Sequence, residues 1–167
     1  KNARGYTTSY EYDRVGNLVK TINAMNGVSI VVYDADGNLI SETNTDGATT
    51  TYTYDGLGRV LTMTDPVGAV TTTEYDANGN VVKLTQADGH SITYTYNARN
   101  ELTSYVDAEG YTHSFTYDGN GNKTSETNGN GNTTYYTYDG LDRLVGKKDA
   151  EGGVSSKTYD ADGRLIK

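Results

Sequence analysis

Aspartate is the residue type most regularly placed to do chemistry in this sequence. The segment Asp118-Gly119-Asn120-Gly121-Asn122 begins like the calcium loop of an EF-hand, in which alternate residues supply oxygen ligands. An EF-hand loop needs glycine at its sixth position and glutamate at its twelfth, but Lys123 and Gly129 stand there. We therefore predict that the repeated aspartates cap turns, with no metal bound.

Histidine and the nucleophilic residue types give no stronger indication of a reaction. His90 and His113 are isolated in the sequence and there is no cysteine, so the metal-ligand spacings of zinc sites are missing. His113 shares strand parity with Phe115 and Tyr117, which favours a packing role. Asp65-Pro66-Val67-Gly68 occupies the position of an ordinary turn. We predict no catalytic residue, no cofactor and no enzymatic activity.

Composition limits the class of protein. Hydrophobic residues make up 34% of the 167 residues, while 20 are glycine and 16 are tyrosine, so a conventional aliphatic core is not expected. The net charge of -8 disfavours nucleic acid as a partner, and no apolar run is long enough to span a membrane. The chain opens at Lys1 without a signal-like segment, and we expect it to be an excised or processed piece.

A 21-residue repeat fills the chain. Tyrosine recurs at this interval eight times, usually followed by aspartate and then, four residues after the tyrosine, by glycine. The residues that define the repeat are Tyr12, Asp13, Gly16, Tyr33, Asp34, Gly37, Tyr54, Asp55, Gly58, Tyr75, Asp76, Gly79, Tyr96, Asn97, Tyr117, Asp118, Gly121, Tyr138, Asp139, Tyr159, Asp160 and Gly163. We predict one array of eight units over residues 1–167, with no second domain.

Each unit has the pattern of a β-hairpin. Residues such as Thr51-Tyr52-Thr53-Tyr54 alternate with period 2, which places tyrosine on one face and threonine on the other. Aspartate and glycine then form a turn, a second strand follows, and another glycine turn leads to the next unit. Asn26, Asn100 and Asp142 replace glycine at three turn positions, and these residue types tolerate a left-handed backbone.

The hairpins predict an all-β fold, a single-layer curved strip of about 16 antiparallel strands of the solenoid type. Neither face is apolar enough to require a second layer, so both are expected to meet water. The unpaired strand edges at the two ends predict self-association.

The repeated Tyr-Asp-x-x-Gly-Asn/Arg-Leu/Val unit resembles the Rhs or YD repeats of bacterial Rhs polymorphic toxins, Tc toxin shell subunits and teneurins. The resemblance implies a wall segment of a hollow β-cage that encloses a toxin or other polypeptide cargo. It also implies a larger parent polypeptide that supplies further repeats and cargo as partners, and a secreted or cell-surface location. Eight repeats are too few to close such a cage, and the Rhs-associated core is not found in this sequence.

Two other functions are alternatives to a role as a segment of a cage wall. A carbohydrate-binding or adhesion module would use the tyrosine ladder, with Tyr52 and Tyr94 as test positions, although the chain lacks tryptophan. Ice binding by the threonine rows needs an uninterrupted array, which Glu11, Glu74 and Lys157 interrupt.

Overall fold

A computed structural model describes residues 7–167, which form an all-β fold of fifteen antiparallel strands. The strands are β1 (Ser9–Tyr12), β2 (Leu18–Ile22), β3 (Val28–Tyr33), β4 (Leu39–Thr43), β5 (Thr49–Tyr54), β6 (Val60–Thr64), β7 (Val70–Tyr75), β8 (Val81–Thr85), β9 (Ser91–Tyr96), β10 (Leu102–Val106), β11 (Thr112–Tyr117), β12 (Lys123–Thr127), β13 (Thr133–Tyr138), β14 (Leu144–Lys148) and β15 (Val154–Ser156). The predicted fold class, an all-β array of hairpins, is confirmed.

The chain divides into two compact units. The first ends at Glu74 and also includes Thr85–Gly89, and the second comprises Tyr75–Leu84 and His90–Lys167. Within the first unit β1 to β7 pair in chain order, and within the second β9 to β15 do the same. Sequential antiparallel pairing follows from the short turns, because a two-strand hairpin needs only a few connecting residues.

Each repeat has two hairpin connections, and the strand pairs that they join differ in register. In the pair that follows a repeat tyrosine, Tyr52 opposes Met63 but Tyr54 opposes Val60, so the register shifts by one residue at a β-bulge. The same shift recurs at the end of β1, β3, β11 and β13. Pairs across the other connection, such as Ser41 with Thr51, run without a shift.

The prediction of about 16 strands agrees with the fifteen strands and one further bridge among the described residues. The sixteenth strand is reduced to an isolated bridge between Tyr159 and Leu165. Only three residues follow Arg164, which leaves room for a bridge but not for a regular ladder. Hydrogen bonds from Thr158 to Lys167 and from Ile166 to Thr158 still hold this segment against its neighbour.

The sheet has two different faces and no conventional core. Opposed residues of an antiparallel pair share a face, so Tyr52 and Met63 lie on what we call the tyrosine face, and Thr53 and Thr62 on the hydroxyl face. The hydroxyls of Thr53 and Thr62 lie 2.6 Å apart. No hydrophobic side chain in residues 7–167 is buried, and Ser125 at 9% exposure is the sole buried polar residue there.

Membrane-spanning helices are likewise not found in the described part of the chain, where no helix has the length and apolarity to cross a bilayer.

Candidate functional site

Four of the repeat tyrosines form hydrogen-bonded junctions between successive repeats. Tyr54 in the first unit donates its hydroxyl to the main-chain carbonyl oxygen of Leu39, 15 residues earlier, at 2.7 Å. Three tyrosines in the second unit do the same with the carbonyl oxygens of Leu102, Lys123 and Leu144, again 15 residues earlier. These tyrosines are Tyr117 at 2.9 Å, Tyr138 at 3.0 Å and Tyr159 at 3.0 Å.

The acceptor of each junction is the first residue of a strand in the preceding repeat. Leu39 begins β4 and Leu102 begins β10, directly after the turn that follows the preceding repeat tyrosine. A strand-end carbonyl beside a bulge has a lone pair that the ladder does not use, and the tyrosine hydroxyl reaches it. Burial at this junction raises the pKa of Tyr117.

The aspartate after each repeat tyrosine caps the turn. Asp118 Oδ1 accepts hydrogen bonds from the backbone N–H groups of Asn120 and Asn122, both at 2.9 Å. Asn97, the one replacement of this aspartate, uses its amide oxygen in the same way toward Arg99 and Glu101. These are Asx turns, in which a short side chain replaces a main-chain acceptor.

In several repeats the side chain of the residue after the left-handed turn position binds back to the capping aspartate. Arg59 pairs with Asp55 and Arg143 with Asp139, with nitrogen–oxygen distances of 2.6 and 2.7 Å. These side-chain hydrogen bonds are the main reason that the pKa of Asp55 and the pKa of Asp139 lie below the usual range. At Asp118 the side-chain amide of Asn122 has the same effect on the carboxyl pKa.

Neighbouring turns are also bonded to one another. Arg99 donates to the carbonyl oxygens of Asp118 and Gly119, both at 2.7 Å. The side-chain amides of Asn120 and Asn122 both donate to Asp142 Oδ1. These hydrogen bonds join turns about one repeat apart along the chain, so the turns of the second unit form a polar ladder.

The left-handed turn positions confirm the prediction for the three substitutions. Asn26, Asn100 and Asp142 have φ angles of 65°, 61° and 59°, in the region that glycine adopts at the equivalent positions. Asn and Asp accept this region at lower cost than other non-glycine residues.

A second series of capping residues was missed by the sequence analysis. It occupies the other connection of each repeat: Asn23, Asn44, Asp65, Asp107, Asn128 and Asp149 accept hydrogen bonds from backbone N–H groups further along the same turn. The sequence pattern that could have revealed them is an Asp or Asn three residues before the left-handed turn residue, which is glycine in five of these turns and Asn26 in the other. Asp65 lies in this series, and its carboxylate binds the N–H groups of Val67 and Ala69.

His113 belongs to an aromatic stack on the tyrosine face. Its ring lies parallel to that of Tyr105, with centroids 4.3 Å apart, and its Nε2 is 3.0 Å from Asp107 Oδ2. Tyr105 also contacts the ring of Phe115, at 6.1 Å between centroids. His113 is therefore packed and hydrogen-bonded, in the kind of role that its strand parity favoured.

A charged group adjoins this stack. Lys123 and Tyr136 both bind the Glu126 carboxylate at 2.5 Å, and the Lys123 ammonium lies 5.5 Å from the centre of the Phe115 ring. The hydrogen bond to Glu126 raises the pKa of Tyr136 to about 12. Tyr52 and Glu42 form the equivalent pair in the first unit, at 2.7 Å.

Each unit also contains a concave region. A hollow of about 220 Å³ between Tyr105, Phe115 and Glu126 also meets Asn128 and Asn132. A wider one of about 720 Å³ in the first unit is lined by residues of β1 to β3 and their turns. In residues 7–167 no three His, Asp or Glu side chains lie close enough together to hold a metal ion.

The repeat-defining residues thus lie in two kinds of position, strand ends and turns. Tyr12, at the end of β1, is 60% exposed, whereas the later repeat tyrosines are half-buried. Six repeat glycines, Gly16, Gly37, Gly58, Gly79, Gly121 and Gly163, all have positive φ angles.

Comparison with known protein families gives one match. The family described as RHS Repeat matches residues 33–73, 75–112, 96–134, 117–154 and 138–167. No curated protein sequence matches the chain.

One solved structure supports a similar fold, and two others match over most of the chain with lower TM-scores. The crystal structure of TcdB2-TccC3-TEV matches with a TM-score of 0.51 and 19% identity over 95% of this chain. The Photorhabdus luminescens Tc holotoxin pore with the TccC3-D651A mutation and the crystal structure of TcdB2-TccC3 give TM-scores of 0.39 and 0.38 at 18% identity, each covering 98% of this chain. The chain spans 11%, 12% and 13% of these three structures' chains.

Proposed function

Because the chain belongs to the RHS repeat family, we propose that it is a structural segment in the wall of a hollow β-cage that encloses a toxin or other polypeptide cargo. In this proposal residues 1–167 are one array of eight repeats, and the chain itself catalyses no reaction. The observation that carries the proposal is the tyrosine junction, which recurs in both units with the same 15-residue separation.

The junction suits a wall because it joins repeats without a core. Tyr138, at the end of β13, donates its hydroxyl to the carbonyl oxygen of Lys123 at the start of the adjacent β12, and its ring is half-buried. Repeats joined by such a bond contact their neighbours in this way, so stability is built up along the array, as in other repeat proteins. An array held by such local contacts can be long and thin, which is what an enclosing wall requires.

The partners in this proposal are further repeats and a cargo segment of a larger parent polypeptide. The low share of the toxin structures' chains that this chain spans supports a parent with much more sequence. We further propose a secreted or cell-surface location, in keeping with the toxin context of those structures. The repeat-defining tyrosines, aspartates and glycines serve the wall's architecture in this account, with no bound cofactor.

Protection of cargo from a protease tests the proposal. The parent polypeptide would be treated with a protease that cleaves the cargo segment when that segment is expressed alone. We expect the enclosed cargo to resist cleavage, and the double variant Tyr117→Ala/Tyr138→Ala to restore cleavage by opening the wall. Tyr135→Ala, at a tyrosine that is 54% exposed, is the matched control and should leave the cargo protected. Equal cleavage with the wall intact would contradict the proposal.

Carbohydrate binding through the tyrosine ladder is the competing hypothesis. The Tyr52 ring is half-buried and its hydroxyl donates to Glu42, so this side chain already has a structural contact. Tyr94 lies 6.2 Å from Tyr105, ring centre to ring centre. A glycan array would separate the hypotheses: binding that is lost in Tyr52→Ala/Tyr94→Ala, with the circular dichroism spectrum retained, would favour the carbohydrate module.

A further inference from the structure

One strand of the first unit departs from the repeat pattern on its hydroxyl face. β3 carries Ile30 three residues before its repeat tyrosine and Val32 one residue before it. None of the other seven repeats has an aliphatic residue at either position. Val32 occupies the position of Thr53, a residue of the hydroxyl face. A change confined to one repeat of a regular array indicates a role that the other repeats do not share.

The aliphatic side chains of β3 form an exposed patch. Val28, Ile30 and Val32 alternate along the strand, so they share the hydroxyl face, and they are 36%, 42% and 42% exposed. Ile22 on β2 opposes Val28 and extends the patch on the same face. Contiguous exposed apolar surface marks interaction sites, whereas single apolar side chains on a surface do not. Both strands are paired on both sides, so further repeats at either end of the array leave the patch open.

Part of this patch is the floor of the hollow of about 720 Å³ in the first unit, which Ile30 and Val32 line together with Val19. The charged groups that line the hollow are mostly carboxylates, and these charged residues are Glu11, Asp13, Lys20, Asp34 and Asp36. The ammonium of Lys20 is bound by Glu11 at 2.8 Å. The aspartates of the two turns therefore give the rim of the hollow a net negative charge.

The capping aspartates of this rim are not neutralised by their partners. Asp34 Oδ2 accepts a hydrogen bond from the side-chain amide of Asn38 at 2.9 Å, and the preceding turn is built in the same way. An amide is a neutral donor, whereas at the next turn Arg59 neutralises Asp55. The bond from Asn38 is the main reason that the pKa of Asp34 lies below its usual range, so this carboxyl stays ionised in mild acid. An aliphatic floor with an acidic rim is complementary to a partner that combines aliphatic and basic side chains.

We propose that the hydroxyl face over β2 and β3 docks an extended polypeptide segment of alternating aliphatic residues flanked by lysine or arginine. The aliphatic side chains of the segment pack on Ile30 and Val32, and its cationic groups lie at the turn aspartates. The inference rests on the proposed wall function in one respect: the segment belongs to the enclosed cargo, which places the hydroxyl face on the inside of the wall. The site is a sheet face and not a strand edge, so the segment binds through side chains and does not extend the sheet.

Two fluorescent peptides test this docking on the unmodified chain and on matched variants. The first peptide alternates valine and serine between pairs of lysines, and in the second peptide glutamate replaces lysine. Ile30→Thr/Val32→Thr removes the aliphatic floor and supplies the residue type that the next repeat has at both positions, so the sheet should be retained. Val70→Thr is the control, because Val70 is 41% exposed on the same face but lies outside the hollow. Asn38→Arg places at the rim the residue type that neutralises the aspartate of the next turn. Circular dichroism would verify that each variant keeps the β-sheet spectrum.

Fluorescence anisotropy gives the affinity of each peptide. We expect the lysine peptide to bind the unmodified chain and Val70→Thr equally, to bind Ile30→Thr/Val32→Thr about tenfold more weakly, and to bind Asn38→Arg more weakly as well. Absence of binding, equal affinity for the unmodified chain and Ile30→Thr/Val32→Thr, or equal binding of the two peptides would overturn the docking.

The cargo-protection experiment separates this docking from the wall function. Protected cargo without peptide binding would overturn the docking alone. Peptide binding with unprotected cargo would overturn the wall function and, with it, the assignment of the docked segment to the cargo.

Discussion

The hydroxyl of Tyr138 lies 3.0 Å from the main-chain carbonyl oxygen of Lys123, and this bond joins two successive repeats. The Lys123 ammonium, at the other end of that residue, binds Glu126, which also accepts the hydroxyl of Tyr136. Lys123 therefore binds Tyr138 through its main-chain carbonyl oxygen and Glu126 through its side-chain ammonium. The arrangement explains how a sheet without buried hydrophobic side chains among its described residues keeps successive repeats in register.

Removal of one turn cap is expected to destabilise the chain. Asn97→Ala deletes the oxygen that accepts the N–H groups of Arg99 and Glu101, and we expect the free energy of unfolding in urea to fall by about 1 kcal/mol. Asn97→Asp keeps this oxygen but replaces the Nδ2 donor, which binds Glu101 Oε2 at 2.6 Å, with a carboxylate oxygen, so it should recover only part of the lost stability. Equal stability of the alanine variant and the unmodified chain would show that the cap contributes nothing.

The fold is expected to lose stability in acid. The pKa values of Asp55 and Asp118 are lowered in the folded chain, chiefly by side-chain hydrogen bonds from Arg59 and Asn122. The unfolded chain therefore takes up protons first as the pH falls. The stabilisation is complete at a pH above the pKa of an aspartate in the unfolded chain. It is lost as the pH falls from there to below the lowered pKa of the folded chain.

Urea midpoints measured across the acid range would check this pH dependence. The double variant Asp55→Asn/Asp118→Asn keeps capping oxygens but cannot titrate at these positions, so its midpoint should fall less steeply. A midpoint that stays constant down to strongly acidic pH in the unmodified chain would contradict the assignment.

Tyr136 is expected to titrate unusually late. Its hydrogen bond to the Glu126 carboxylate raises its pKa to about 12, so ultraviolet titration should reveal a late ionisation near that pH. Because the raised pKa belongs to the folded state, the associated stabilisation is present at neutral pH and is lost as the pH rises from about 10 to about 12. Glu126→Gln should return this pKa toward its ordinary value, and Tyr135→Phe is the control. An unchanged titration in Glu126→Gln would rule out the carboxylate as the cause.

The sequence was sufficient to predict the hairpins, the turns and the alternation of faces. Asn26 illustrates why: left-handed turn geometry depends on local residue type, which a single repeat already displays. The acceptor of the Tyr54 hydroxyl could not be predicted, because it lies beside the one-residue register shift that pairs Tyr33 with Leu39. That shift is set by how two strands pair and leaves no residue pattern of its own.

The second series of capping residues could have been predicted from the sequence. Asn44 and Asn128 stand three residues before a glycine, as Asp34 and Asp118 do, so comparison of half-repeats would have found them. The stacking of His113 on Tyr105 is a cross-strand contact, which strand parity can allow but not identify without the register.

The tyrosine junction is the central claim, and Tyr138→Phe tests it most directly. This change removes only the hydroxyl, and it should lower the free energy of unfolding by about 0.5–1.5 kcal/mol and speed amide hydrogen exchange in β12 and β13. Tyr135→Phe removes the hydroxyl of the exposed neighbour on β13 and should change neither quantity. Equal exchange and equal stability in the two variants would contradict the claim that the repeat tyrosines join one repeat to the next.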